Sequence, residues 1–228
     1  DAKYHEHYVR GTFTRENLDF SQDVIHLAEV LGARQISVEP VVAASGSGYD
    51  IRLSDLPQIE KEYEDLAEYI LKTRVQNDPV HFFHFIMDMK EGPCVYKRLK
   101  GCGVGAEYCA VTPTGDIYPC HQFVGEEKYL MGNVHDLDQL LDENGNMKAG
   151  KKATDILSQE VRKTFLDRLM PNKESCRTCF ARYNCGGGCP ANSVHATRDL
   201  DGMYEVGCRL AKKRMECSIW LSLKSLSN

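Results

Sequence analysis

The stretch CRTCFARYNCGGGC (176–189) places four cysteines within fourteen residues, spaced C-x2-C-x5-C-x3-C, with three glycines before the last. Four thiols this close hold disulfides, a zinc ion or something larger. Disulfide frameworks belong to short secreted domains whose cores are too small to hold alone. Here 228 residues, 42% of them hydrophobic, include amphipathic helices that supply a core. Nothing in the sequence suggests export, so a cytoplasmic chain with metal-ligating or catalytic thiols is expected. C-x2-C turns let two thiolates converge on one metal, and Cys176, Cys179, Cys185 and Cys189 would suit one tetrahedral zinc. The Gly186-Gly187-Gly188 run points elsewhere: it permits close backbone approach and leaves N–H groups free, which suits a bulky sulfur-rich cluster.

Charge and hydropathy narrow the classes. The net charge of -5 gives no reason to expect nucleic acid or an anionic membrane as partner. No apolar run approaches the roughly eighteen residues of a membrane span, and there is no signal-like start. The chain starts at Asp1 and reads as a strand almost at once, as an excised piece of a longer protein would.

The first part alternates strand and helix. HYVRGTFT (7–14) reads as a strand, and SQDVIHLAEVLGA as a helix with Ser21 as N-cap and Gly32 as stop. QISVEPVVA (35–43) is nearly continuously apolar, as a strand buried on both faces should be. This β-α-β unit implies a parallel sheet with a right-handed crossover. Two strands alone do not make a sheet, again suggesting a missing N-terminal part. LPQIEKEYEDLAEYILKTR (56–74) is a strongly amphipathic helix with Ile59, Tyr63, Leu66 and Ile70 on one face, and HFFHFIMDMK (81–90) is expected to be another.

Near Gly101 cysteine and glycine become frequent. YCAVTPTGDIYPC (108–120) reads as a hairpin turning at Pro113-Thr114-Gly115-Asp116. Residues 142–153 read as a polar surface loop, ATDILSQEVRKTFLDRLM as a helix, and 208–226 as a closing helix. A boundary near residue 95 separates 1–94 from 95–228. Cys217, nine residues past Cys208, faces the opposite side of the last helix and is expected in the core; Cys94 is likewise read as buried.

The wider pattern is Cys102-x12-Gly115-x4-Cys120, a gap, C-x2-C-x5-C-x3-C, a second gap, then Cys208. Seven cysteines are one short of two four-thiolate clusters. This spacing resembles the seven-cysteine SPASM domain, the C-terminal extension of radical S-adenosylmethionine (SAM) enzymes that modify peptides and proteins. YVRGTFTREN, ISVEPVVA, GPCVYKRLKGCG and AVTPTGDIYPCHQFVG look like maturases of SCIFF peptides (six cysteines in forty-five residues), which install thioether cross-links. The resemblance covers nearly the whole chain apart from 142–160.

The resemblance implies an α+β fold: the C-terminal part of a radical SAM partial (β/α)6 barrel over 1–94, then a SPASM domain over 95–228 with a β-hairpin, cysteine-rich loops and helices. It implies two [4Fe–4S] clusters that interleave along the chain, Cys176, Cys179, Cys185 and Cys208 holding the second, and Cys102, Cys120 and Cys189 the first. The first cluster's fourth ligand would be Cys109, another internal thiol, or an open site for a substrate thiol. Arg10 would pair with the SAM carboxylate, Thr12 shares its strand face, and Val38, Glu39 and Pro40 would lie by the adenine. His121 stands where some relatives carry a catalytic base.

The C-x3-C-x2-C motif of the SAM-cleaving cluster is absent. Its nearest partial match, Cys185-x3-Cys189, has Asn192 where the third cysteine belongs. The resemblance therefore implies that SAM and a third [4Fe–4S] cluster belong to an intact enzyme whose N-terminal part is not in this sequence. There a deoxyadenosyl radical would abstract a peptide hydrogen before the C–S bond forms. Implied partners are a cysteine-rich precursor peptide and a reductant protein. The alternatives are another SPASM enzyme, such as a sulfatase maturase or peptide cyclase, and a non-catalytic zinc or iron–sulfur module.

Overall fold

A computed structural model describes residues 7–87 and 91–226. Strand β1 (Val9–Phe13) leads through helix α1 (Phe20–Glu29) to β2 (Gln35–Pro40), helix α2 (Leu56–Val75) and the two-residue strand β3 (His81–Phe82). The sheet order is β1-β2-β3, all parallel, with Arg10 opposite Ser37, Thr12 opposite Glu39, and Ile36 opposite Phe82. Residues 81–87 are therefore not helical as expected. A short strand runs into a single 3-10 turn, Phe83–Phe85, and residues 88–90 of the expected helix lie outside the described residues. Phe82 and Phe85 are buried at the sheet edge while Phe83 is exposed, and the aromatic content that weakens the helical reading suits a strand.

Strand β2 also departs from expectation, because one of its faces is polar. Ile36 and Val38 enter the core with Phe13 and Phe82, while Ser37 and Glu39 alternate to the other side with Arg10 and Thr12. Helix α1 starts at Phe20 after Asp19, so Ser21 is not its cap; Ser21 is buried in the first turn and its hydroxyl donates to Glu62 on α2. The helix ends at Glu29, short of Gly32, leaving Leu31 exposed.

The cysteine-rich half is built from short pieces. Helix α3 (Val95–Lys100) precedes the antiparallel strands β4 (Ala110–Val111), β5 (Asp116–Tyr118) and β6 (Gly132–Asn133). The β4–β5 turn uses Gly115 at φ +87°, as the hairpin reading expects. Residues 142–151 are exposed. The single helix expected over 153–170 is broken. A 3-10 turn, Ala153–Ile156, is followed at Ser158 by helix α4 (Gln159–Leu166), whose first turn is capped by the Ser158 hydroxyl accepting from the Val161 N–H. Helices α5 (Glu174–Arg177), α6 (Arg182–Cys185), α7 (Pro190–Thr197) and α8 (Glu205–Leu226) complete the chain.

Two apolar clusters organise the packing. One joins the sheet to α1 and α2, and takes Val206, Leu210, Cys217 and Leu221 from α8. The other gathers Val104, Tyr118, Phe123, Tyr129, Phe165, Ala191 and Val194. Helix α8 thus follows the cysteine segment but docks on α2, reinforced by Arg209–Glu60 and by Arg214 Nε donating to the Tyr63 hydroxyl at 2.8 Å. Cys217 is buried in this core as its spacing predicts, whereas Cys94, expected to be buried, is exposed ahead of α3. No helix of the described residues is long and apolar enough to cross a membrane.

Candidate metal centres

All ten cysteines are free thiols. The pKa shifts of four of them group the thiols around them into two neighbourhoods. Cys185 is pushed up first by burial and then by Cys176 and Cys179; Cys208 is pushed up by burial and then by Cys185, Cys176 and Cys179. Cys120 is pushed up by burial and by Cys189 and Cys102, and Cys189 by burial and Cys102. Cys185 and Cys208 thus have Cys176 and Cys179 as neighbours, and Cys120 and Cys189 have Cys102. Cys109, the candidate extra ligand, is exposed just ahead of β4.

Local structure explains how distant cysteines meet. Cys176 and Cys179 lie on one turn, with the Cys179 N–H donating to the Cys176 carbonyl at 3.1 Å. Cys185 ends α6, and Gly186 follows at φ +66°. A Cβ on Gly186 would lie 2.5 Å from the Gly101 Cα and 2.7 Å from the Lys97 carbonyl oxygen. Only glycine lets α6 meet the end of α3 at this distance, and that contact brings Cys102 toward the glycine run. Cys189 begins α7, and Cys208 sits in the first turns of α8, whose core contacts anchor it.

Amide groups are aimed at these sulfurs. The Gln122 N–H donates to Cys120 Sγ at 3.3 Å. The amides of Gly188 and Gly187 oppose the upward push on Cys185, and those of Asn192 and Ala191 do so for Cys189. Amide donors stabilise thiolate over thiol and are a recognised control on cluster sulfur. Among the described residues, no three Cys, His, Asp or Glu side chains converge as ligands of a single metal ion do. Thiolates on one zinc stand about 3.8 Å apart, from the Zn–S length and tetrahedral geometry; the ligands of a [4Fe–4S] cube bind at separate corners and stand wider. The all-thiol donor sets, their amide donors and the close glycine contact fit a cluster. Beside Cys102, the Tyr96 hydroxyl is buried with no hydrogen-bond partner among the described residues, its ring packed against Gly103. Burial and then the Glu107 and Cys102 charges push its phenol up.

Two buried cations flank the glycine run. Arg168 donates to the carbonyls of Leu200, Gly187 and Gly188 at 3.0, 3.0 and 3.3 Å, and Lys173 Nζ donates to the Gly187 carbonyl at 3.2 Å. Asp201 lies 3.3 Å from Arg168 and 3.9 Å from Lys173. Burial, then the Arg168 charge, lowers Lys173, against Asp201, Cys176 and Cys208. Sequence reasoning passed over both residues, whose single positions carry no spacing signal.

A second constellation occupies the polar face of the parallel sheet. Arg10, Thr12 and Glu39 share that face, whereas Val38 and Pro40 alternate to the other, with Val38 in the core. Arg10 is exposed and lies 3.7 Å from Glu39. Glu39 accepts from the Ser37 hydroxyl at 2.8 Å and contacts His84 Nε2 at 2.7 Å. Burial alone would raise Glu39, but the His84 and Ser37 bonds outweigh it and hold the carboxyl at about 2. Burial, helped by the Arg214 charge, lowers His84, so the neutral ring donates Nε2–H to the carboxylate. Ser37 and His84 were missed in the sequence; the period-two placement of Gln35, Ser37 and Glu39 was the available signal. In the other half, His121 Nδ1 lies 2.9 Å from the Tyr108 hydroxyl and 3.9 Å from Cys120 Sγ.

Residues 102–180 match SPASM, an iron–sulfur cluster-binding domain. Among curated proteins, the mycofactocin maturase MftC of Mycolicibacterium smegmatis is 27% identical over 208 residues, 89% of this chain and 47% of the relative. MftC of Mycobacterium tuberculosis (strain CDC 1551 / Oshkosh) is 26% identical over 196 residues, 85% of this chain and 45% of the relative. The chain thus spans about half the length of the curated relatives it matches. Among solved structures, native anSMEcpe with bound AdoMet and Cp18Cys peptide is similar in fold, with a TM-score of 0.63 at 14% identity over 97% of this chain and 58% of that one. The sequence likeness is to these maturases over about half their length, and the structural likeness, at 14% identity, is one of fold.

Proposed function

We propose that the chain is the cluster-bearing part of an enzyme that forms thioether cross-links in a cysteine-rich ribosomal peptide, and that it carries two [4Fe–4S] clusters. The neighbours of Cys185 and Cys208 on one side and of Cys120 and Cys189 on the other, together with the close Gly186–Gly101 approach, support this reading. Cys176, Cys179, Cys185 and Cys208 hold one cluster; Cys102, Cys120 and Cys189 hold the other, completed by Cys109 or by a substrate thiol. When bound, such clusters supply electron transfer and, at an open iron, a Lewis-acid site for a thiol.

The chain's own groups then position and deprotonate. In the tautomer whose Nδ1–H meets the Tyr108 oxygen, His121 Nε2 is left to accept a proton from a thiol arriving near Cys120. On the polar sheet face, Arg10 binds the SAM carboxylate, with Thr12 and Glu39 beside it; Val38, whose side chain is buried on the other face, borders the adenine only through its backbone, with Pro40 next to it. Residues 1–94 form the end of the partial barrel and 95–228 the SPASM domain. SAM, a third cluster, the preceding part of the protein, a reductant protein and a cytoplasmic setting complete the proposal.

Metal analysis tests it. The chain reconstituted anaerobically with iron and sulfide should bind about eight irons, four per cluster. Cys208→Ala and Cys102→Ala should each leave about four, with different spectra. Stoichiometric zinc from anaerobic preparation, or loss of all iron in both variants, would sink the two-cluster assignment.

A further inference from the structure

Arg168 and Lys173 form a buried cationic pair that Asp201 offsets only in part. Their side chains are 4% and 7% exposed, against 56% for the single Asp201 carboxylate. Buried charge is costly, and here it is offset mainly by backbone carbonyls, which the two cations hold in place. The pair grips two successive peptide groups. The Gly187 carbonyl, held by both cations, belongs to the peptide whose N–H is that of Gly188, directed at Cys185. The Gly188 carbonyl, held by Arg168, belongs to the peptide that continues into Cys189. A donor at a peptide carbonyl polarises the N–H of the same unit and strengthens its bond to an acceptor.

We propose that Arg168, assisted by Lys173, is a positioning residue that fixes the 187–189 peptides and thereby sets the reduction potential of the cluster bound by Cys185, while holding Cys189 in register for the other cluster. This rests on the two-cluster reading above. Reduction adds one negative charge to a cluster, and a nearby cation and a strong N–H···S contact favour the reduced form. Lys173 is the cation by Cys176 and Cys208, while Arg168 acts on this cluster through the carbonyls it holds and its charge falls on Cys189. Removing Arg168 lowers the potential.

The test is an EPR-monitored redox titration of the anaerobically reconstituted intact protein, with iron content measured on each sample. Arg168→Met should keep its iron, and the signal that Cys208→Ala removes should shift to lower potential. The reduced-to-oxidised ratio at the wild-type midpoint should fall by about tenfold, or about 59 mV for one electron. Arg168→Lys, which keeps the charge but not the two-carbonyl grip, should fall between Arg168→Met and wild type, and Lys173→Met should shift in the same direction. If Arg168→Met fails to load, Arg168→Lys and Lys173→Met carry the test alone. Unchanged midpoints with full iron overturn the inference and leave the two-cluster reading standing. A wild-type protein lacking the signal that Cys208→Ala should remove overturns both.

Discussion

Gly186→Ala is the sharpest structural perturbation available. At φ +66° an alanine pays about 1–2 kcal/mol for the left-handed conformation. Its Cβ would also meet backbone on three sides, the Gly101 Cα at 2.5 Å, the Gly101 nitrogen at 2.7 Å and the Lys97 oxygen at 2.7 Å. No flexible side chain can swing away, so α3 and α6 must separate, at about 1–3 kcal/mol for overpacking. The sum is about 2–5 kcal/mol. Gly188→Ala is the internal control: its φ is +78°, yet nothing lies within 4 Å of the added Cβ, so it should lose only about 1–2 kcal/mol. Both positions lie between Cys185 and Cys189, so proximity to the ligands is matched. Anaerobic denaturant unfolding with iron content measured in parallel reads the difference, about 1–3 kcal/mol, or roughly 2–12 °C in midpoint for a chain of this size. Equal destabilisation by the two substitutions would refute the claim that the α3–α6 contact requires glycine.

Other outcomes follow from the buried groups. Glu39 has a folded pKa of about 2 against an ordinary 4.5, so its contribution to stability is fully present above about pH 4.5 and lost as pH falls toward 2. Glu39→Gln should be less stable at neutral pH by on the order of 2 kcal/mol after screening, and the gap should close in acid. Urea unfolding of both proteins across that pH range checks this, and a gap independent of pH would contradict it. Cys217, buried and pushed up to about 11, should resist iodoacetamide in the native protein, while exposed Cys94 and Cys109 react; peptide mapping by mass spectrometry reads the order. Native labelling of Cys217 as fast as Cys94 would contradict its place in the core.

Much of the frame was legible because periodicity reports burial directly. The amphipathic stripe of α2 and the nine-residue offset of Cys217 from Cys208 each named a face that the structure buries. Gly115 named its turn for a local reason, the positive φ the hairpin requires. The errors fell where local sequence is ambiguous. Aromatic residues at 81–85 suit helix or strand equally, and parallel pairing with β2 decided the matter. Cys94 has the composition of a core residue and no spacing to contradict it, yet it stands in solvent ahead of α3.

The sequence by itself determined the candidate ligands and the cysteine spacings, because short turns such as C-x2-C have few geometries. Only the tertiary structure shows how thiols far apart in the chain come together: Cys208 is brought to Cys176, Cys179 and Cys185 by a helix whose anchoring lies in the other core. It alone revealed Arg168 and Lys173, since a cation's partners here are backbone carbonyls that no side-chain pattern encodes. The glycine run belongs to both levels: its composition announced close approach, and packing of α3 on α6 supplied the atoms approached.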